Sequence, residues 1–274
     1  MQYVLQFISA RKLDGLVEGT LYQYKLELNK LADFLKKSTL QANITDLRSY
    51  LSQFSEMAQR SINRKISTIK AFYTWLVEEE YLERNPTRKI KTPKEPATLP
   101  RNLSKEEVEL LRWHPKSDRN QAIMELLVSS GMRVGELVKL NRDNMNYIDR
   151  KIMVKGKGNK ERIVFFGQTA KFCLKKYLMS RKDDNDALFI NKYGERLTIR
   201  SIEMQIKDEA EKAGIKNKVT PHMLRHTFAT SLYENGADID FLSRLLGHSS
   251  TDTTRRYTMI SGDQMGRMYD KFAN

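Results

Sequence analysis

Cysteine, histidine and proline are scarce in this chain of 274 residues, and the first shortage is the most restrictive. A single cysteine, Cys173, rules out an intramolecular disulfide and fits a reducing compartment. It also weighs against structural zinc, whose sites usually recruit paired cysteines. No stretch of eighteen apolar residues occurs, so no membrane-spanning helix is expected. The opening MQYVLQFISARKLDG lacks the basic region, apolar stretch and small-residue cleavage site of a secretory signal, and a cytoplasmic protein is expected. Acidic residues are outnumbered, 34 against 48 Lys and Arg, which leaves a formal net charge of +14. A field of that sign favours a polyanionic partner, nucleic acid first and an anionic membrane surface second. Hydrophobic residues at 40 % exclude a disordered basic tail, and the length allows two modest cores.

Residues 1–88 read as helices. Leu21, Tyr24, Leu28, Leu31 and Leu35 recur with a 3.6-residue period, as do Ile62, Ile66, Ile69, Phe72, Tyr73 and Leu76. Between them Ile44, Leu47, Leu51 and Phe54 mark a shorter amphipathic segment. The opposite faces carry Arg60, Arg64, Lys65 and Lys70, either a solvated surface or a phosphate-contacting one. Four of the six prolines, at 86, 93, 96 and 100, fall in NPTRKIKTPKEPATLPRN, which predicts an extended basic linker over 89–102.

A second domain over 103–274 opens on LSKEEVELLRW, with Ser104 as N-cap and Glu107 closing a capping box. NQAIMELLVSSGMRVGELVKL reads as a helix, a break at Gly131, and a further helix turning Val134, Leu137 and Val138 inward. YIDRKIMVKGKGNKERIVFFG changes period, two β-branched runs flanking a glycine-rich turn, and predicts a hairpin. TIRSIEMQIKDEAEKAG returns to helix, with Ile199, Ile202, Ile206, Ala210 and Ala213 inward and Gly214 as its stop. The expected fold is mainly α, with a small β-sheet in the second domain.

Three of the four histidines crowd into residues 218–258. Thr220-Pro221 starts a helix there, with Leu224, Phe228 and Leu232 as its apolar stripe and His222, Arg225 and His226 on another face. Asp238 caps the next helix, Ile239, Leu242 and Leu245 turn inward, and Gly247 ends it just before His248, with Tyr257 further on. Zinc on His222 and His226 lacks a third and fourth ligand nearby in sequence. An arginine, two histidines and a tyrosine instead suit the binding and attack of a phosphodiester, the group that the net charge independently suggests.

Five separated stretches, in order, resemble the boxes of the tyrosine recombinase (phage integrase) family, Xer-type members above all. SGMRVGELVKL resembles the first arginine box and implies a catalytic Arg133; VKGKGNKERIV resembles the β-hairpin lysine motif, with Lys157 at the general-acid position. HMLRHTFAT gives His222 and Arg225, LLGHSS gives His248, and TTRRYT gives the nucleophile Tyr257. SINRKISTIKAFYTWLVEEEYLERNPT is similar to the family's helical core-binding domain, so the resemblance covers nearly the whole chain. It implies a two-domain C-shaped clamp: a SAM-like DNA-binding domain, the linker and a catalytic domain.

The implied activity is site-specific DNA recombination through a 3′-phosphotyrosine and a Holliday junction, serving chromosome or plasmid dimer resolution or the integration and resolution of mobile elements. The implied partner is double-stranded DNA with inverted-repeat sites, bound by a homotetramer or by a heterotetramer with a related recombinase; no membrane, cofactor or metal is implied. Localisation would be cytoplasmic and nucleoid-associated, and a separate arm-binding domain ahead of the core-binding helices would not be expected. Type IB topoisomerase-like strand relaxation and non-catalytic DNA binding are the alternatives. Residue by residue, Arg133 also suits a helical pair with Glu136, and Lys155, Lys157 and Lys160 suit an ordinary basic turn, Lys160 being the next candidate acid. Tyr269 is a rival nucleophile, but Met265, Met268, Tyr269 and Phe272 form an apolar helix face suited to docking on a neighbouring protomer.

Overall fold

The computed structural model describes residues 2–94, 101–155 and 161–247, and the chain divides into two compact units, Met1–Ala97 and Thr98–Asn274. The first unit contains α1 (Gln2–Leu13), α2 (Glu18–Leu35), α3 (Ile44–Ser52) and α4 (Gln59–Glu78). The apolar periods named above make its core: Leu28, Leu31, Leu47, Ile69, Phe72 and Leu76 are all buried. Phe7 of α1 lies edge-on to Phe72 at 5.4 Å between ring centroids, which ties the first helix to the last. Asn43 starts α3 through a capping box with Asp46. Part of the basic face is internally matched, since Lys65 Nζ lies 2.7 Å from Glu27 Oε2 and both are largely buried. The first unit continues beyond residue 88: Ile90 is buried in its core, and Asn63 Nδ2 donates to the Pro93 carbonyl at 2.9 Å.

In the second unit, α5 (Lys105–Trp113) begins at the expected capping box, Ser104 Oγ accepting from the Glu107 N–H at 3.1 Å and Glu107 Oε2 from the Ser104 N–H at 2.9 Å. α6 (Asp118–Ser130) ends at Gly131, whose φ of +60° places it in the left-handed region. The helix after it, α7 (Val134–Leu137), is a single turn, shorter than the periodicity suggested. It stops because the following chain turns to other partners: Arg196 Nη1 donates to the Val138 and Leu140 carbonyls, and the Leu188 N–H donates to the Leu140 carbonyl at 2.9 Å.

The hairpin is present, as β2 (Lys151–Lys155) and β3 (Glu161–Phe165) paired antiparallel from Lys151↔Phe165 to Lys155↔Glu161. A short β1 (Met145–Asn146) adds to β2 to complete a three-stranded sheet. Ile152, Val154 and Val164 are buried with α6 and with α8 (Gln168–Ser180) in one apolar core. α9 (Ile199–Lys212) buries Ile202, Ile206 and Ala210, but Ile199 is 45 % exposed, because it is the first helical residue and precedes the turn that meets the core. α10 (Pro221–Glu234) starts at Thr220 and Pro221 as expected. α11 (Ile239–Leu246) is capped by Asp238, turns Leu242 and Leu246 inward, and ends at Gly247 with φ +63°.

Candidate active site

The two arginines predicted as functional meet where the C-terminal ends of α6 and α11 approach α7 and α10, and His222 lies one turn before Arg225 in α10. Each helix end leaves carbonyls with no partner in its own helix, and there the helix dipole is negative. Arg225 uses both. Its Nη1 donates to the Gly131 carbonyl at 2.6 Å and its Nη2 to the Leu246 carbonyl at 2.7 Å. Arg133 reaches the same place from the N-cap of α7, Nη1 donating to the Leu246 carbonyl at 3.4 Å and Nη2 to the Gly247 carbonyl at 3.2 Å. Two guanidinium groups therefore share one carbonyl oxygen.

Their environments differ. Arg225 is 4 % exposed, a buried charge that would be prohibitive without those carbonyls, whereas the Arg133 side chain is 35 % exposed. The sequence had placed Arg225 on a common face with His222 and His226. In the structure Arg225 turns inward beside Leu224, His226 is half-buried, and His222 is exposed one turn earlier in α10. Gly131 is what allows α10 so close: a Cβ there would stand 2.2 Å from Phe228 Cδ1.

A carboxylate lies beneath the pair. Glu136 is buried and accepts from the Arg133 N–H at 2.9 Å and from Arg133 Nη1 at 3.1 Å, so the helical pairing weighed from the sequence is present. Arg162 of β3 also grips Glu136 through both oxygens, at 2.6 and 2.7 Å. Burial pushes the Glu136 carboxyl up, but the Arg162 and Arg133 hydrogen bonds and charges outweigh it and hold it below the usual carboxylate range. Sequence reasoning missed Arg162, although a signal exists: it has the same strand parity as the buried Val164, an unusual place for a charge.

Lys157, Lys160, His248, Tyr257 and Tyr269 lie outside the described residues. The fourth histidine, His114, pairs with the buried Glu209 at 3.2 Å and has no part in the arginine cluster. Among the described residues no three His, Cys, Asp or Glu side chains gather as metal ligands, and no helix is long and apolar enough to cross a membrane. What the cluster offers is two adjacent, permanently charged planar forks with an exposed imidazole one helical turn away. That arrangement suits a phosphoryl group gaining negative charge on its non-bridging oxygens.

Comparison with known proteins points the same way. The family model described as "Phage integrase family" matches residues 101–263, and "Phage integrase, N-terminal SAM-like domain" matches residues 5–80. The tyrosine recombinase XerD of Staphylococcus saprophyticus is 37 % identical, over 98 % of this chain and 96 % of its own length. The tyrosine recombinase XerC of Thermodesulfovibrio yellowstonii is 35 % identical, over 98 % of this chain and 95 % of its own. The crystal structure of the XerH site-specific recombinase, bound to palindromic difH substrate in a post-cleavage complex, superimposes with a TM-score of 0.78 at 25 % identity, covering 93 % of this chain and 80 % of that one.

Proposed function

Because the chain belongs to the phage integrase family, with Xer tyrosine recombinases as relatives over nearly its whole length, we propose that it recombines DNA at specific sites through a covalent tyrosine intermediate. Tyr257 Oη attacks a backbone phosphorus, a new Oη–P bond forms, and the P–O5′ bond breaks, leaving a 3′-phosphotyrosine and a free 5′-hydroxyl. A phenol of pKa about 10 is only about 0.1 % ionised at pH 7, so the attack needs a base. His222 takes the phenolic proton and returns it when a 5′-hydroxyl reclaims the phosphate. Arg133 and Arg225 bind the non-bridging oxygens as they gain charge. Lys157 gives its proton to the departing 5′-oxygen, and His248 hydrogen-bonds the same phosphate. The phosphotyrosine conserves the bond energy, so the exchange uses no nucleotide cofactor.

One observation carries the assignment: Arg133 and Arg225 meet on the Leu246 carbonyl from elements that are far apart in sequence. On duplex DNA with inverted repeats, four protomers, identical or mixed with a related recombinase, exchange strands in two steps through a Holliday junction. The compartment is the cytoplasm, at the nucleoid, and the role is dimer resolution or the movement of a mobile element. Trapping protein-linked fragments of host DNA tests the reading. Wild type and Tyr257→Phe are incubated with the DNA, denatured in SDS, and the attached ends sequenced. Adducts at one or a few loci with wild type alone are expected. Scattered attachment would favour topoisomerase-like relaxation instead, and adducts persisting in Tyr257→Phe would move the nucleophile, with Tyr269 next to be substituted.

A further inference from the structure

Glu136 faces two guanidinium groups and does not treat them alike. Arg162 holds both carboxylate oxygens at 2.6 and 2.7 Å, whereas the Arg133 side chain touches one oxygen at 3.1 Å. Arg162 is also the more enclosed, its side chain 12 % exposed against 35 % for Arg133. Gly247 packs on it so closely that a Cβ there would stand 2.7 Å from Arg162 Cδ. Arg162 Nε is buried and makes no hydrogen bond to the described residues, so the hydrogen bonds shown for this guanidinium are the two to Glu136. The enclosed arginine is thus committed to the carboxylate, and the exposed one keeps most of its fork directed elsewhere.

We propose that Arg162 is a positioning residue: by occupying both oxygens of Glu136 it prevents this buried carboxylate from neutralising Arg133. With both oxygens of Glu136 taken by Arg162, the Arg133 guanidinium keeps its positive charge for the bound phosphate. Without Arg162, the desolvated Glu136 needs another cation, and Arg133 is already bonded to it. Arg133 would close onto both oxygens and lose the geometry and charge it offers to DNA. Lysine replaces Arg162 only in part, since a point charge does not span two oxygens. The inference rests on the reading of Arg133 as a phosphate-binding residue.

The test measures the rate of covalent adduct formation on a nicked substrate built from the site that the trapping experiment recovers. The substrate carries either the natural scissile phosphate or a methylphosphonate, which has one negative charge fewer. Arg162→Gln is expected to slow attachment about 100-fold on phosphate, the scale of losing one charge-stabilising donor. Its defect should shrink at least about tenfold on methylphosphonate, as should that of Arg133→Ala, because the missing positive charge is then less needed. The double variant Arg162→Gln/Glu136→Gln should attach faster than Arg162→Gln alone, since the competing carboxylate is gone. Arg162→Lys, the arm to use if Arg162→Gln melts early, should fall between and show the same methylphosphonate relief. A defect of Arg162→Gln or Arg162→Lys that is undiminished on methylphosphonate, or a double variant no faster than the single, would overturn the proposal. If Arg133→Ala attaches at the wild-type rate, the phosphate-binding reading itself fails.

Discussion

Substituting alanine for Gly131 tests a close approach between the end of α6 and α10. Gly131 has φ +60°, and its added Cβ would lie 2.2, 2.7 and 3.0 Å from Phe228 Cδ1, Cε1 and Cγ, where carbon atoms prefer about 3.5–4.0 Å. The left-handed backbone costs an alanine about 1–2 kcal/mol. Displacing the half-buried ring adds an overpacking cost of about 1–3 kcal/mol, and the stiffer unfolded chain returns about 0.4–1 kcal/mol. The net loss is about 1–4.6 kcal/mol, and a mid-range loss of about 3 kcal/mol lowers Tm by about 6–12 °C for a unit of this size. Differential scanning calorimetry suits the measurement, because two units need not melt as one transition. The clash separates from the backbone cost in a Phe228→Ala background, where Gly131→Ala should cost only about 0–1.6 kcal/mol. A cost below about 0.5 kcal/mol in wild type, or one unchanged by Phe228→Ala, would refute the reasoning. Since the Gly131 carbonyl accepts from Arg225, DNA cleavage should fall along with stability.

Three further outcomes are expected. Ser104→Ala removes the reciprocal cap of α5 and should destabilise the second unit by about 1 kcal/mol in thermal melts; no change would mean that the cap is dispensable. The carboxyl of Glu136 is held below its ordinary range, so its contribution is present at neutral pH and is lost as the pH falls through the folded-state value. Wild type should therefore melt above Glu136→Gln at pH 7, with the gap closing below about pH 4.3, and a gap independent of pH would contradict the pairing. Affinity for duplex DNA should fall steeply between about 50 and 200 mM salt, by about 1000-fold or more if six or more phosphates are contacted, and a flat titration counts against the polyanion partner.

Local features of the site were legible because short-range chemistry writes them. Ser104 with Glu107, Thr220 with Pro221, and the stops at Gly131, Gly214 and Gly247 each need only a few neighbouring residues, and each is where the pattern placed it. The burial of Arg225 was not legible. Spacing of three and four residues places His222, Arg225 and His226 on one stripe, but the carbonyls that bury Arg225 come from Gly131 and Leu246, 94 and 21 residues away. Periodicity misjudged Ile199 and passed over the buried Leu246 for a related reason, since a helix terminus meets the core at an angle that only the neighbouring elements set. Arg162 was hidden inside a motif already quoted for its lysine, and only strand parity marked it.

Neutral carbonyls at two helix C-termini grip both site arginines, and this has a chemical consequence. A carboxylate holding each arginine would fix its geometry but cancel the charge that a pentavalent phosphorane needs. Helix C-termini fix geometry with partial negative charge only, about half an elementary charge per helix, so a carbonyl contact of this kind does not cancel a guanidinium charge. Glu136, the one carboxylate bonded to Arg133 among the described residues, is offset by the arginine of β3. Both devices draw on the fold rather than on the site alone: the ends of α6 and α11 supply the dipoles, and a strand supplies the counter-charge. The cluster is therefore assembled without DNA, and the carboxylate that touches Arg133 is itself held by Arg162. Pre-placed charge of this kind lowers the cost of reorganisation at the moment of attack.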